Sequence, residues 1–130
     1  MRDNHSRRGQ ALVEFALLIP LFIFLVIAFV DLVWMTTSYL QLSNSVREGT
    51  RFAAVHNFDE TVIADVVEQY SPSLDHSQLT ITATMDTSRV TILASYDYYP
   101  ITPGLQIFLG ANDFVTLTVQ SAGSVAPLYQ

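Results

Sequence analysis

The chain has 130 residues with no cysteine and no lysine, and its six arginines face twelve acids. Without cysteine, disulfides and thiolate metal sites are excluded. From Asp31 onward three arginines stand against ten acids, so the basic footprint that nucleic-acid binding needs is missing, and the length suits one small domain plus a hydrophobic segment.

The other three arginines, Arg2, Arg7 and Arg8, lie in the first nine residues. An uncharged run follows from Phe15 to Val30, in which thirteen of sixteen residues are Leu, Ile, Phe or Val. On an insertion scale this favours the bilayer by about 4–8 kcal/mol as an upper figure. Glu14 opposes it by about 3 kcal/mol if buried midway and by less at an edge, so insertion wins. Glu14 and Asp31 bracket the run about 26 Å apart, close to the hydrocarbon thickness, so both are expected near the two interfaces. A cleaved secretory signal does not fit: the run is too long, and Phe29 to Met35 is too bulky for a small-x-small cut. The charge bias places the N-terminal stub in the cytoplasm and the acidic part outside. The expected division is a leader over 1–9, a transmembrane helix over 10–33 and an extracytoplasmic head over 34–130. Pro20 inside the helix removes one backbone bond and clashes one turn back, near Ala16, so a kink is expected there. It is either static or a weak turn that bends when the helix leaves lipid.

Gly9-Gln10 followed by Glu14-Phe15 resembles the type III leader of pilins, and the glutamate–aromatic pair resembles the tight adherence (Tad) pilins in particular. The resemblance implies cleavage after Gly9 by a membrane prepilin peptidase, which makes Gln10 the new N-terminus and Glu14 the fifth residue. A carboxylate four positions on lies on the same helix face as that terminus. Pairing within a subunit or between neighbours would offset the desolvation of both charges, and the resemblance implies the neighbour's amine as partner.

Asp31 to Val55 continues as a helix with Leu32, Met35, Tyr39, Leu42 and Val46 at three- and four-residue steps. This stripe is expected to cover a small sheet. Asn44-Ser45-Val46-Arg47-Glu48-Gly49-Thr50-Arg51-Phe52-Ala53-Ala54-Val55 resembles the Ala-Arg-Glu-Gly-Ala-Arg-Tyr-Ala core of TadE-like proteins, the minor pilins or pseudopilins of the Tad machinery, with Val46 and Thr50 in place of common alanines. Arg47, Glu48 and Arg51 are candidates for ion pairing between subunits; a solvated face with pairs inside the chain is the alternative.

Asn57 to Glu60 breaks the helix, with Asn57 or Asp59 as cap of a short helix over Thr61–Tyr70. Ser71-Pro72-Ser73 ends it. The period then becomes two. Leu79, Ile81, Ala83 and Met85 alternate in one strand, and Val90, Ile92, Ala94, Tyr96 and Tyr98 in the next. The tight Asp86-Thr87-Ser88 link makes them an antiparallel hairpin. A third strand runs over Phe114–Gln120. Between strands two and three, Tyr98 to Gly110 reads as an apolar loop with one helical turn over Pro103–Leu109. It resembles the pre-strand segment of TadE-like heads, and it either covers the sheet or lines a subunit contact. The fold class is therefore α+β: a long N-terminal helix packed on a three-stranded antiparallel sheet, with one extra short helix.

His5, His56 and His76 are scattered without zinc spacing, and Asp59, Glu60, Asp65 and Glu68 lack a calcium-loop pattern. No catalytic constellation, phosphate loop or cofactor motif is present. The chain reads as a non-enzymatic, single-pass envelope protein. The resemblance implies that its partners are the inner membrane, prepilin peptidase, a major pilin, a second minor pilin and the inner-membrane assembly platform. The rival reading is an uncleaved signal-anchored protein whose head binds a ligand or envelope partner.

Overall fold

The computed structural model describes residues 4–56, 58–102, 105, 110 and 113–125, with side chains from Gly9 onward. Helix α1 (Asn4–Val55) is followed by α2 (Glu60–Gln69), a 3-10 turn at His76–Gln78, and strands β1 (Leu79–Asp86), β2 (Arg89–Tyr98) and β3 (Val115–Ser124). The sheet is an antiparallel meander with β2 in the centre. This is the α+β arrangement expected from the periodicities.

Each short element has a local cause. Asp59 caps α2, its carboxylate accepting from the Thr61 amide at 3.0 Å and the Thr61 hydroxyl at 2.6 Å. Asn57, the other candidate cap, lies outside the described residues. Ser71 is buried, and its hydroxyl donates to the Val67 carbonyl at 2.8 Å, closing the end of α2. The hairpin turns through Thr87 and Ser88, with Asp86 opposite Arg89.

The alternation places Ala83, Val90, Ile92, Ala94 and Val119 on the face turned to the helices, where they bury with Leu42, Val46 and Ala53 of α1, Ile63 and Val67 of α2, and Leu74. Met85, on the same face of β1, is exposed near the hairpin.

Two details differ from the sequence reading. The inner stripe of α1 contains Leu42 and Val46, but Leu32 and Tyr39 are exposed, while Ser38, Ser45 and Thr50 are buried. Contact here is so close that small side chains fit where large ones do not. A Cβ on Gly49 would lie 2.6 Å from Val67 Cγ2 and 3.3 Å from Ile92 Cδ1, and one on Gly123 would lie 2.8 Å from Thr50 Cγ2. The Ser45 and Thr50 hydroxyls add no unpaired groups, since they donate back to the Leu42 and Val46 carbonyls at 2.9 and 2.8 Å. In addition, β3 runs to Ser124, four residues past the expected end. The small residues Ser121 to Ser124 pair with Ile92 to Arg89 and let α1 pass close over the sheet.

Most of the expected helical turn over Pro103–Leu109 lies outside the described residues.

Candidate functional site

α1 divides into two physical regions. From Leu42 to Ala53 one side of it is core. From Gly9 to Val30 no residue is buried, and large apolar side chains face outward on every side, from Leu12 and Phe15 to Phe29 and Val30. Among the described residues, α1 is the one helix long and apolar enough to cross a bilayer. A helix apolar all round has no solvent-facing side to offer.

Gly9 and Gln10 sit on this free stretch, both exposed. Gln10 Nε2 donates to Glu14 Oε1 at 3.2 Å, so positions 10 and 14 share a face within contact distance, as their spacing requires. Phe15 is 62% exposed beside them. A Cβ on Gly9 would meet nothing within 4 Å, so its lack of a side chain serves no packing purpose in this fold. The helix continues through Pro20 with helical backbone on both sides.

Arg47, Glu48 and Arg51 come from the part of α1 that is packed on the head. Arg51 Nη1 lies 4.0 Å from Glu48 Oε2, with the arginine 80% exposed. At that distance and exposure the pair is worth a few tenths of a kcal/mol at most. Arg47 is also exposed, and it forms no ion pair among the described residues.

The strongest polar constellation involves Asp31, which the sequence places near the membrane interface without a partner. The residue is 1% exposed. Its Oδ1 accepts from the Ile101 amide at 2.9 Å and from the Tyr98 hydroxyl at 3.1 Å, and its Oδ2 accepts from the Thr102 amide at 2.6 Å. Bonds to an ionised acceptor are the strong kind, and here they fasten the loop after β2 to α1 at the end of the apolar run. Burial, and then donation to Asp31, push the Tyr98 phenol up to about 12. A clue was present in the sequence: an acid abutting sixteen uncharged residues needs a partner. The donors, however, are 67 to 71 residues away, and two of them are backbone amides that no side-chain pattern marks.

Two other carboxylates are held by their own turns. The Thr61 hydroxyl and amide hold Asp59 below the usual carboxylate range, and the Ser77 hydroxyl and amide do the same for Asp75. The His56 ring stacks on Phe52 with centroids 4.0 Å apart, at the end of α1. Among the described residues no three His, Asp or Glu side chains gather as a metal site.

Against known proteins, the sequence model of the family described as TadE-like protein matches residues 9–51. The matched stretch begins at Gly9, spans the whole exposed apolar part of α1 and ends at Arg51. No curated protein and no solved structure matched the chain.

Proposed function

We propose that this chain, TadE-like over residues 9–51, is a structural minor pilin or pseudopilin that works in assembly of a Tad-type pilus or secretion apparatus for surface adherence. The observation that carries the reading is the coincidence of the family match with a helix exposed and apolar on all sides from Phe15 to Val30. In this reading α1 crosses the inner membrane with residues 1–9 cytoplasmic and the acidic head outside. Prepilin peptidase cuts between Gly9 and Gln10.

The chemistry of the cut explains the residues around it. Cleavage turns the Gln10 amide nitrogen into an α-ammonium group at the edge of a low-dielectric region. The Glu14 carboxylate, already within reach of the Gln10 side chain, is the local counter-charge, and a neighbouring subunit's terminus can take the same place. Pairing offsets the desolvation of both ions and fixes the stagger between subunits. Moving into a filament then exchanges lipid contacts for helix–helix contacts along the same apolar surface. Arg47 and Arg51, extended into solvent, are available to acids of the major pilin or a second minor pilin. No step requires a cofactor or a catalytic group of this chain.

N-terminal mass spectrometry of protein from cells co-expressing the peptidase tests the reading. Gln10 as the first residue is expected. A retained leader favours the rival, an uncleaved signal-anchored protein. Gly9→Ala should block the cut. Because the added methyl meets no neighbour, an uncut product would report the peptidase's requirement and not a folding defect.

A further inference from the structure

The segment Tyr98 to Thr102 leaves β2 and reaches α1 at Asp31, where the amides of Ile101 and Thr102 donate to the carboxylate at 2.9 and 2.6 Å. These bonds fix the height of the loop along the helix: it sits beside the residue that ends the uncharged run. Asp31 and Thr102 are each 1% exposed. What the loop turns outward is apolar. Ile101 is 71% exposed and Tyr99 52%, and Phe114, just before β3, packs its ring 5.6 Å from that of Tyr99, centroid to centroid. One turn beyond Asp31, α1 presents Trp34, 57% exposed. Residues 98–102 carry no charge.

The backbone here also suits a dry neighbour. Hydrocarbon offers no partner for an amide, so chain that touches lipid must satisfy its donors internally. Pro100 has no N–H, and the next two donors are taken by Asp31. The same bonds remove the Asp31 charge from the surface, while Asp113, next to Phe114, stays exposed. A loop that served only to cover the sheet would turn Ile101 inward.

We propose that this loop is a second membrane contact. Tyr99, Ile101 and Phe114 seat in the headgroup–acyl boundary of the bilayer that α1 crosses, and the head rests on the lipid surface instead of standing free on its helix. The contact is continuous with the apolar surface of α1. It places aromatic rings, with Trp34, at the depth where tyrosine and tryptophan concentrate. The occupant is the lipid itself; the inference rests on α1 being membrane-spanning.

The chain has no cysteine, so single cysteines can carry a fluorophore in the full-length protein. Three variants, Phe22→Cys, Ile101→Cys and Thr84→Cys, are labelled and placed in phosphatidylcholine nanodiscs. Thr84 is exposed near the hairpin at the other end of the sheet. Quenching is measured with iodide in the water and with lipids brominated near the headgroup or deep in the chain. The Phe22 label should respond to deep bromines. The Ile101 label should respond to shallow bromines and show severalfold less iodide quenching than the Thr84 label. Iodide access at Ile101 equal to that at Thr84, with Phe22 still in lipid, overturns this inference and leaves the span intact. Protection from iodide without bromine quenching means that protein covers the loop, and it overturns the inference equally. A Phe22 label outside lipid overturns the span and this contact together.

Discussion

Gly49 and Val67 touch so closely that the Cβ which Gly49 lacks would stand 2.6 Å from Val67 Cγ2. Glycine inside a helix costs about 1 kcal/mol relative to alanine, so Gly49→Ala would gain that much on propensity alone. The site opposes it: Val67 is fully buried, its short side chain has nowhere to retreat, and Ile92 Cδ1 waits at 3.3 Å. Overpacking of this kind costs about 1–3 kcal/mol. Gly49→Ala should therefore lower head stability by about 1 kcal/mol net, a balance of these two terms. Adding Val67→Ala should give a double mutant more stable than the sum of the two single changes predicts. Denaturant unfolding in detergent, followed by circular dichroism, measures both; strict additivity would mean that the two sites do not meet.

A second close approach lies between Gly123 and Thr50. The Thr50 hydroxyl donates to the Val46 carbonyl at 2.8 Å, which holds Cγ2 toward β3, 2.8 Å from where a Gly123 Cβ would be. Gly123→Ala should cost about 1–2 kcal/mol, within the overpacking range. Thr50→Ser keeps the hydroxyl and deletes the methyl, so Gly123→Ala in that background should recover most of the loss. The readout is the unfolding midpoint of the four proteins, and the absence of rescue by Thr50→Ser would show that the obstacle is backbone.

Asp31 uses both carboxylate oxygens as acceptors. Asparagine is therefore a poor substitute, because its amide nitrogen would face either the Thr102 N–H or the Ile101 N–H and Tyr98 hydroxyl. Leaving buried donors unpaired costs about 1–3 kcal/mol each. Asp31→Asn should destabilise the loop nearly as much as Asp31→Ala, and Tyr98→Phe by about 1.5–3 kcal/mol, the worth of one hydrogen bond to a charged group. Amide hydrogen exchange at Ile101 and Thr102 reports this directly: protection should fall in both Asp31 variants and fall less in Tyr98→Phe. Wild-type protection in Asp31→Asn would show that the carboxylate does not hold the loop.

Tyr98 gives the head a pH limit on the alkaline side. Its ordinary value of 10.0 is raised to about 12 in the fold, so between these values the folded chain holds a proton that the unfolded chain has released. Stability from this group is full below pH 10 and is lost as pH rises toward 12. In a tyrosinate absorbance titration, the difference between wild type and Tyr98→Phe should titrate near 12, and Tyr98→Phe should lose less stability over that interval. A difference curve centred at 10 would mean that the phenol is neither buried nor donating to Asp31.

Much of this architecture was legible because it is periodic. Alternation over Val90, Ile92 and Ala94 marks β2, the candidate caps Asn57 and Asp59 precede the start of α2, and the apolar run marks the free part of α1. Sequence-local contacts followed in the same way: Gln10 and Glu14 meet because a helix brings i and i+4 together. What escaped depends on distance along the chain or on small residues. Asp31 finds donors near residue 100, a pairing that no local pattern encodes. Gly49 and Gly123 sit at the tightest contacts, and Ser38 and Ser45 are buried, where the hydrophobic pattern is weakest, so the apolar periodicity points to Leu32 and Tyr39 instead. The end of β3 is hidden for the same reason, since Ser121 to Ser124 carry no strand-like bulk yet complete the ladder.

Glu14 supplies the test of the assembly mechanism, because its charge can be removed without touching the fold. The residue is exposed, and among the described residues its one side-chain hydrogen bond is to the exposed Gln10 side chain. Loss of the carboxylate should ease entry into lipid, by up to about 3 kcal/mol if the group sits deep. Glu14→Gln retains the size and an acceptor for Gln10 but cannot pair with an α-ammonium group. Glu14→Ala retains neither. Both variants should therefore fractionate with the membrane at least as well as wild type and be cut after Gly9, yet neither should support assembly in cells carrying the complete pilus machinery. Glu14→Asp, with the charge drawn back by one methylene, should assemble partially. Membrane fractionation and a count of surface filaments measure the two halves separately. If Glu14→Gln filaments matched wild type in number, the carboxylate would act as a polar edge to the membrane segment, and the stagger between subunits would have to come from the apolar surface of α1 alone.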